Sequence, residues 1–380
     1  MFKRLFLSLL ILLPFFQASA QIDTSHLRIS LLTCGPGEEI WETFGHTGVR
    51  VTDSLMHTDM VFNYGTFNGF EKDFELKFMR GKLLYYVSYY PFPEFMEEYV
   101  QAHRKVEEQV LKIDGSRKQE IYAFLKWNAE PQNRDYKYDF LFDNCATRIR
   151  DIFPKTLGKE FRFGNTAAAG KTISFRQIVN QYLYKEHFER LGINLLLGSK
   201  VDKKMDNEAI MFLPDFLRDG LASATLSGTP VTEKTQLLLD GSEHEPAGIN
   251  WALVTLFIFS LLTIASLFTP ALQGFGQFLG RLLLVITGLL GCLMLFMWFG
   301  TDHQACQDNF NVLWALPTNL IFAFTRNRNR YAGIAIALLF VSLLLHVFHV
   351  QELPLGEIWP LLLALLCTYG TIYKRSKPAA

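Results

Sequence analysis

The stretch Tyr138-Asp139-Phe140-Leu141-Phe142-Asp143-Asn144-Cys145-Ala146-Thr147-Arg148-Ile149-Arg150-Asp151 decides how this chain is read. An aromatic, extended segment turns at Asp143-Asn144 into a helix that begins beside Cys145. Ile149, Ile152 and Phe153 continue at helical spacing, so Cys145 and Ile149 share the face that packs inward. A thiol at a helix N-terminus meets the positive end of the helix dipole, which favours the thiolate. A nucleophilic thiol also needs a base, and the candidate is His46, in Phe44-Gly45-His46-Thr47-Gly48-Val49-Arg50-Val51. Strand alternation there puts His46, Gly48 and Arg50 on one face.

Outward from this pair, 27–33, 45–51, 60–64 and 82–90 read as strands of a small antiparallel sheet. Helices are expected over 94–111, 117–127 and 174–188, the last capped by Ser174. The segment 38–44 reads as a short helix or turn. Apolar patches at 192–198 and 211–214 fit packing onto the domain core or contact with lipid. Met1 to Ala20 combines Lys3 and Arg4, an apolar run and Ala18-Ser19-Ala20, the pattern of a cleaved signal peptide. The expected divisions are this signal at 1–20, a periplasmic domain at 21–224, a polar linker at 225–248 and a membrane domain at 249–380.

The zero formal net charge hides two unlike halves, because charged residues crowd the first part and apolar ones the second. No long basic tract exists, so nucleic acid is not an expected partner. Apolar runs at 251–269, 280–299, 310–324, 332–350 and 358–373 predict five spans. The third is short and carries Pro317 and Asn319. Five crossings put the basic clusters at 326–330 and 374–377 on the cytoplasmic side, as the positive-inside rule requires. Four would strand the second cluster outside. The loop 300–309, with Asp302 and His303, then lies on the same side as Cys145, which makes both candidate lipid-site residues.

Of the five cysteines, spacing leaves open whether Cys34 and Cys306 pair. A metal site is not indicated, since only the loose His46…His57 offers ligands; no cofactor is expected. Cys plus His supports covalent catalysis through a thioester, with helix-start amides available to an oxyanion. Asn63, Tyr64, His57 and Asp59 are candidates to orient His46, with Asn63 and Tyr64 preferred. Asn144 is a further candidate for orientation or the oxyanion.

His on an early strand and Asn-Cys on a later helix resemble the circularly permuted papain-like arrangement of NlpC-type peptidases and the lecithin:retinol acyltransferase group. More closely, Leu31-Leu32-Thr33-Cys34-Gly35-Pro36-Gly37, Gly45-His46-Thr47-Gly48-Val49-Arg50-Val51, Phe62-Asn63-Tyr64-Gly65-Thr66-Phe67, Asn144-Cys145 and Phe212-Leu213-Pro214 resemble the Lnb N-terminal periplasmic domain family of Bacteroidota-type bacteria. The Asp302-His303…Asn311…Leu313-Trp314…Pro317 segment is similar to the attached membrane part. The resemblance implies an α+β, NlpC-like exported domain followed by an all-α bundle of about five transmembrane helices. It implies lipoprotein N-acylation at the inner membrane, with a phospholipid as acyl donor and a diacylated lipoprotein as acceptor. Cys145 would be the nucleophile and His46 the base. The alternative is a membrane-anchored cysteine peptidase or amidase acting on cell-wall peptides.

Overall fold

A computed structural model describes residues 26–166, 173–241, 246–325 and 329–375. The segment 1–20, expected as a signal peptide, lies outside the described residues, as do Arg326, Asn327, Arg328 and the end of the C-terminal basic cluster.

Four strands come first: β1 (Leu27–Cys34), β2 (His46–Asp53), β3 (Thr58–Phe67) and β4 (Leu84–Pro91), with the short helix α1 (Phe74–Met79) between the last two. Then follow α2 (Phe92–Gln101), β5 (Val106–Val110), α3 (Gly115–Ala129), β6 (Asp135–Lys137) and α4 (Cys145–Leu157). Next come β7 (Phe161–Arg162), α5 (Phe175–Tyr182), α6 (His187–Leu196) and α7 (Pro214–Ala222). The strands β8 (Thr225–Leu226), β9 (Thr229–Pro230) and β10 (Gln236–Leu239) close this half. One sheet has the order β10-β5-β1-β2-β3-β4-β6, and its pairs are all antiparallel.

The two sheet faces carry separate cores. Leu27, Ile29, Leu31, Val49, Val51, Phe62 and Tyr64 pack under α3, α4 and α7. Leu32, Cys34, Val61 and Val106 pack under Phe95 and Tyr99 of α2. Each fully buried aliphatic or aromatic side chain stabilises the fold by roughly 1.5–3 kcal/mol. That alternation fixes the register, because a one-residue slip would turn both sets to the wrong layer.

Two stretches differ from the sequence reading. The helix expected over 94–111 ends at Gln101, His103 takes a positive φ, and Val106–Val110 is a central strand. Its charged residues disguise it: Glu108 is buried, accepting from Arg28 Nη1 at 3.0 Å, Arg28 Nη2 at 2.8 Å and Ser30 Oγ at 2.6 Å. The polar stretch read as a linker holds β8, β9 and β10, and β10 extends the main sheet along β5.

The second half is helical: α8 (Trp251–Phe268), α9 (Gln273–Phe299), α10 (Asn319–Phe322), α11 (Asn329–Val347) and α12 (Leu355–Arg375). Among the described residues four helices are long and apolar enough to cross a membrane. The chain nevertheless passes five times. Gln351, between α11 and α12, donates to Asn309 Oδ1 at 3.1 Å and accepts from the Phe310 amide at 2.6 Å. Residue 310 and the α11–α12 connection therefore lie at one end of the bundle. Asn319 sits deep inside, donating to Thr287 Oγ1 at 3.0 Å and accepting from the Tyr331 and Tyr369 hydroxyls at 2.6 and 2.8 Å. Residues 310–325 thus descend as a broken segment of short helical turns. Glycines make room for it: a Cβ at Gly291 would lie 1.9 Å from the Ala315 carbonyl oxygen. Pro317 and the buried Asn319 explain why this passage is not one long helix.

The halves meet at the end of the bundle where residue 310 starts. Arg190 of α6 pairs with Glu357 of α12 at 2.6 Å, and Asn309 donates to the Leu195 and Leu196 carbonyls at 2.8 and 3.1 Å. The 192–198 patch is divided, with Leu195 and Leu196 packed against the membrane helices and Ile193 and Leu197 against the first-half core that holds Phe212 and Leu213. All five cysteines are free, Cys34 and Cys306 included.

Candidate functional site

Cys145 is the first residue of α4, and the turn before it is built for that position. Asn144 caps the helix, with its Oδ1 accepting from the Thr147 amide at 2.9 Å. The Thr147 hydroxyl returns the bond by accepting from the Asn144 amide at 2.8 Å. Both amide hydrogens of Asn144 are also committed, to the Phe140 carbonyl at 2.7 Å and the Phe212 carbonyl at 2.8 Å. Asn144 thus shapes the turn and has no donor left for an oxyanion. The cap takes the third amide of the helix and leaves the first two, on Cys145 and Ala146, directed at the sulfur.

The backbone amides of Thr47 on β2, Ala146 and Cys145 itself favour the thiolate form of Cys145. The thiol therefore lies near the backbone of the residue that follows His46. His46 opens β2, opposite Cys34 in register, and its Nε2 is 2.5 Å from Asn63 Oδ1 on β3. Asn63 Nδ2 donates to the Tyr90 hydroxyl at 3.0 Å, so its oxygen is the atom that faces the imidazole. That polarity assigns the proton to Nε2 and leaves Nδ1 as the basic nitrogen. Gly65 borders the ring, with a Cβ there lying 4.0 Å from His46 Cε1.

The other preferred orienting residue, Tyr64, points to the opposite face, buried and donating to Asn128 Oδ1 at 2.8 Å. Asp59 is held by Arg50 at 2.6 Å. Alternation along β3 turns Tyr64 away from Asn63, whereas Asp59 shares the Asn63 face but is taken up by Arg50. Tyr90, the third link in the His46–Asn63 chain, was read only as a strand residue; it pairs with Val61 and reaches Asn63 diagonally across the two strands, a contact with no local signature.

The electrostatics overturn one expectation. Burial pushes the Cys145 thiol up to about 11, and the three amides oppose this without reversing it. Burial likewise pushes His46 down to about 4, against the Asn63 bond that raises it. Desolvation outweighs the helix dipole, so the resting pair is neutral thiol and neutral imidazole.

A cleft of about 680 Å³ runs beside α4, lined by Tyr138, Phe142, Arg148, Ile152, Lys155 and Asp302 among others. Cys145 and His46 do not line it. Arg148, Ile152 and Lys155 nevertheless continue the i, i+3, i+7 stripe that Cys145 begins. Asp302 accepts from Lys137 Nζ at 3.0 Å, and His303 Nε2 lies 3.1 Å from the Met79 carbonyl. Both candidate lipid-site residues thus sit at the junction of the two halves.

The family model described as the Lnb N-terminal periplasmic domain matches residues 15–181, and that described as the Lnb transmembrane domain matches residues 243–377. No curated protein and no solved structure matches the chain. With both models matched in order along one α+β-then-helical chain, this protein belongs to the Lnb family, as a lipoprotein-processing membrane protein with a periplasmic domain and a multi-helix membrane domain.

Proposed function

We propose that the protein is a thiol-dependent lipoprotein N-acyltransferase of the inner membrane. It moves an acyl chain from a membrane phospholipid, through a thioester on Cys145, to the α-amine of a lipoprotein's N-terminal diacylglyceryl-cysteine. The observation that supports this reading is a thiol at the start of a helix, favoured as thiolate by three backbone amides that include Thr47, the neighbour of a histidine whose Nε2 is fixed by Asn63. The junction of this domain with the membrane helices supports lipid substrates over soluble ones.

In the first half-reaction His46 Nδ1 takes the thiol proton as Sγ attacks the ester carbonyl. The amides that face the sulfur are placed to hold the oxyanion. The C–O bond breaks, and His46 returns the proton to the departing lysophospholipid alkoxide. In the second, the neutral α-amine attacks the thioester and His46 takes its extra proton. The C–S bond breaks, and the thiolate recovers that proton from His46. Asn63 keeps the imidazole in the tautomer that both halves need.

Mass spectrometry of lipoprotein N-terminal peptides from cells carrying Cys145→Ser tests the reading. Loss of the N-linked acyl chain is expected. Unchanged acylation with altered cell-wall peptides would instead favour the peptidase or amidase reading.

A further inference from the structure

We propose that the end of the sheet carrying His46 and Cys145 faces the lipid surface, and that two loops with exposed aromatic side chains among charged ones, one before His46 and one after Gly65, dip those side chains into the bilayer leaflet that borders the exported domain. Strands β1 to β4 form an antiparallel meander. The β1–β2 connection and the β3–β4 connection therefore leave the sheet at one end, and the β2–β3 turn lies at the other. His46 opens β2 and Gly65 borders its ring at the first of these ends.

Both connections at that end display unpartnered apolar side chains. Trp41 in the first is 74% exposed, and Phe70 in the second is fully exposed. Leu76, Phe78 and Met79 of α1 are also exposed, and α1 buries none of its residues. A six-residue helix without a buried face has too little to stabilise it in water. Lipid supplies the missing face, and aromatic residues are the side chains that favour the membrane–water boundary.

The occupant follows from continuity with the membrane helices. The Arg80 carbonyl, at the end of α1, accepts from the Asp302 amide at 2.9 Å, and the Met79 carbonyl lies 3.1 Å from His303 Nε2. Asp302 comes three residues after Phe299, the exposed last residue of α9. The apolar side chains of α1 are thus pinned at the level where a membrane helix ends. This placement rests on contacts and topology, and holds whether or not Cys145 transfers an acyl group.

Photo-crosslinking in proteoliposomes of phosphatidylethanolamine and phosphatidylglycerol tests it, with the full chain carrying Cys145→Ala to remove turnover. A benzophenone amino acid replaces Trp41, Phe70 or, at the opposite end of the sheet, the equally exposed Leu55. Phospholipid adducts at positions 41 and 70 about tenfold above those at 55 are expected. Equal yields at all three, adducts at 55 alone, or crosslinks from 41 or 70 to a second protein copy in place of lipid would overturn the proposal.

Discussion

At the residue scale, the proposed relay of His46, Asn63 and Cys145 rests as a neutral set rather than a preformed ion pair. The acid limb of kcat/KM should follow His46 at about 4, well below the ordinary 6.5 of a free imidazole, because protonation removes the base. Alkylation of Cys145 by iodoacetamide should rise with pH towards a midpoint near 11 instead of 9. A midpoint below neutrality would mean a standing thiolate and would refute the neutral pair. The same imidazole links folding to acid: the unfolded chain takes a proton near 6.5 that the folded site resists down to about 4, so stability falls as pH drops through that window. Cys145→Ala and His46→Ala should abolish transacylation in proteoliposomes while leaving the thermal unfolding midpoint in place. Asn63→Ala should lower kcat by about 10²–10⁴ with little change in KM, as loss of a tautomer-fixing partner does. The pair itself was legible in the sequence from a Gly-flanked His on a strand and an Asn-Cys at a helix start. Its ionisation was not, since Cys145 is buried in a core it shares with residues far away in the chain, Val49 and Phe62 among them.

At the scale of the element, α4 shows how a cap can define a site. Asn144 satisfies one amide and two carbonyls from inside the core, so Asn144→Ala should destabilise the domain by roughly 1–3 kcal/mol. Asn144→Asp retains the cap but loses both donors, so it should fall between alanine and the parent in urea unfolding; a variant as stable as the parent would show that the carbonyl bonds contribute nothing. The sequence announced this helix through its periodicity and its capping residue. It concealed β5, because Val106-Glu107-Glu108-Gln109-Val110 carries strand alternation with a carboxylate on the buried side. Only the arrival of Arg28 and Arg50 from neighbouring strands makes Glu108 tolerable there. Such long-range neutralisation has no local signature.

Over the whole molecule, the five passages of the second half depend on one polar hub. Asn319, fully buried, gathers Thr287, Tyr331 and Tyr369 from three long helices. Asn319→Leu should lower stability in detergent by about 1–2 kcal/mol, read as a lower thermal unfolding midpoint. No change would mean that packing alone holds the broken passage. Hydropathy located all five runs, yet it could not show that the third is broken. That follows from Pro317 and from the glycines of α9 that let the segment approach. The junction of the halves was hidden too, because pairs such as Arg190 with Glu357 join residues far apart in the chain.

Strand β10 has a consequence for how the protein is made. It is the last strand of the sheet, runs along β5, and ends at Leu239, while the first membrane helix begins at Trp251. A dozen extended residues reach at most about 40 Å. During synthesis the sheet cannot close until that strand has been exported, and by then the first span is next in line at the translocation channel. Completion of the sheet at that edge is therefore coupled in time to membrane insertion, and comes when the chain is about to be anchored beside lipid.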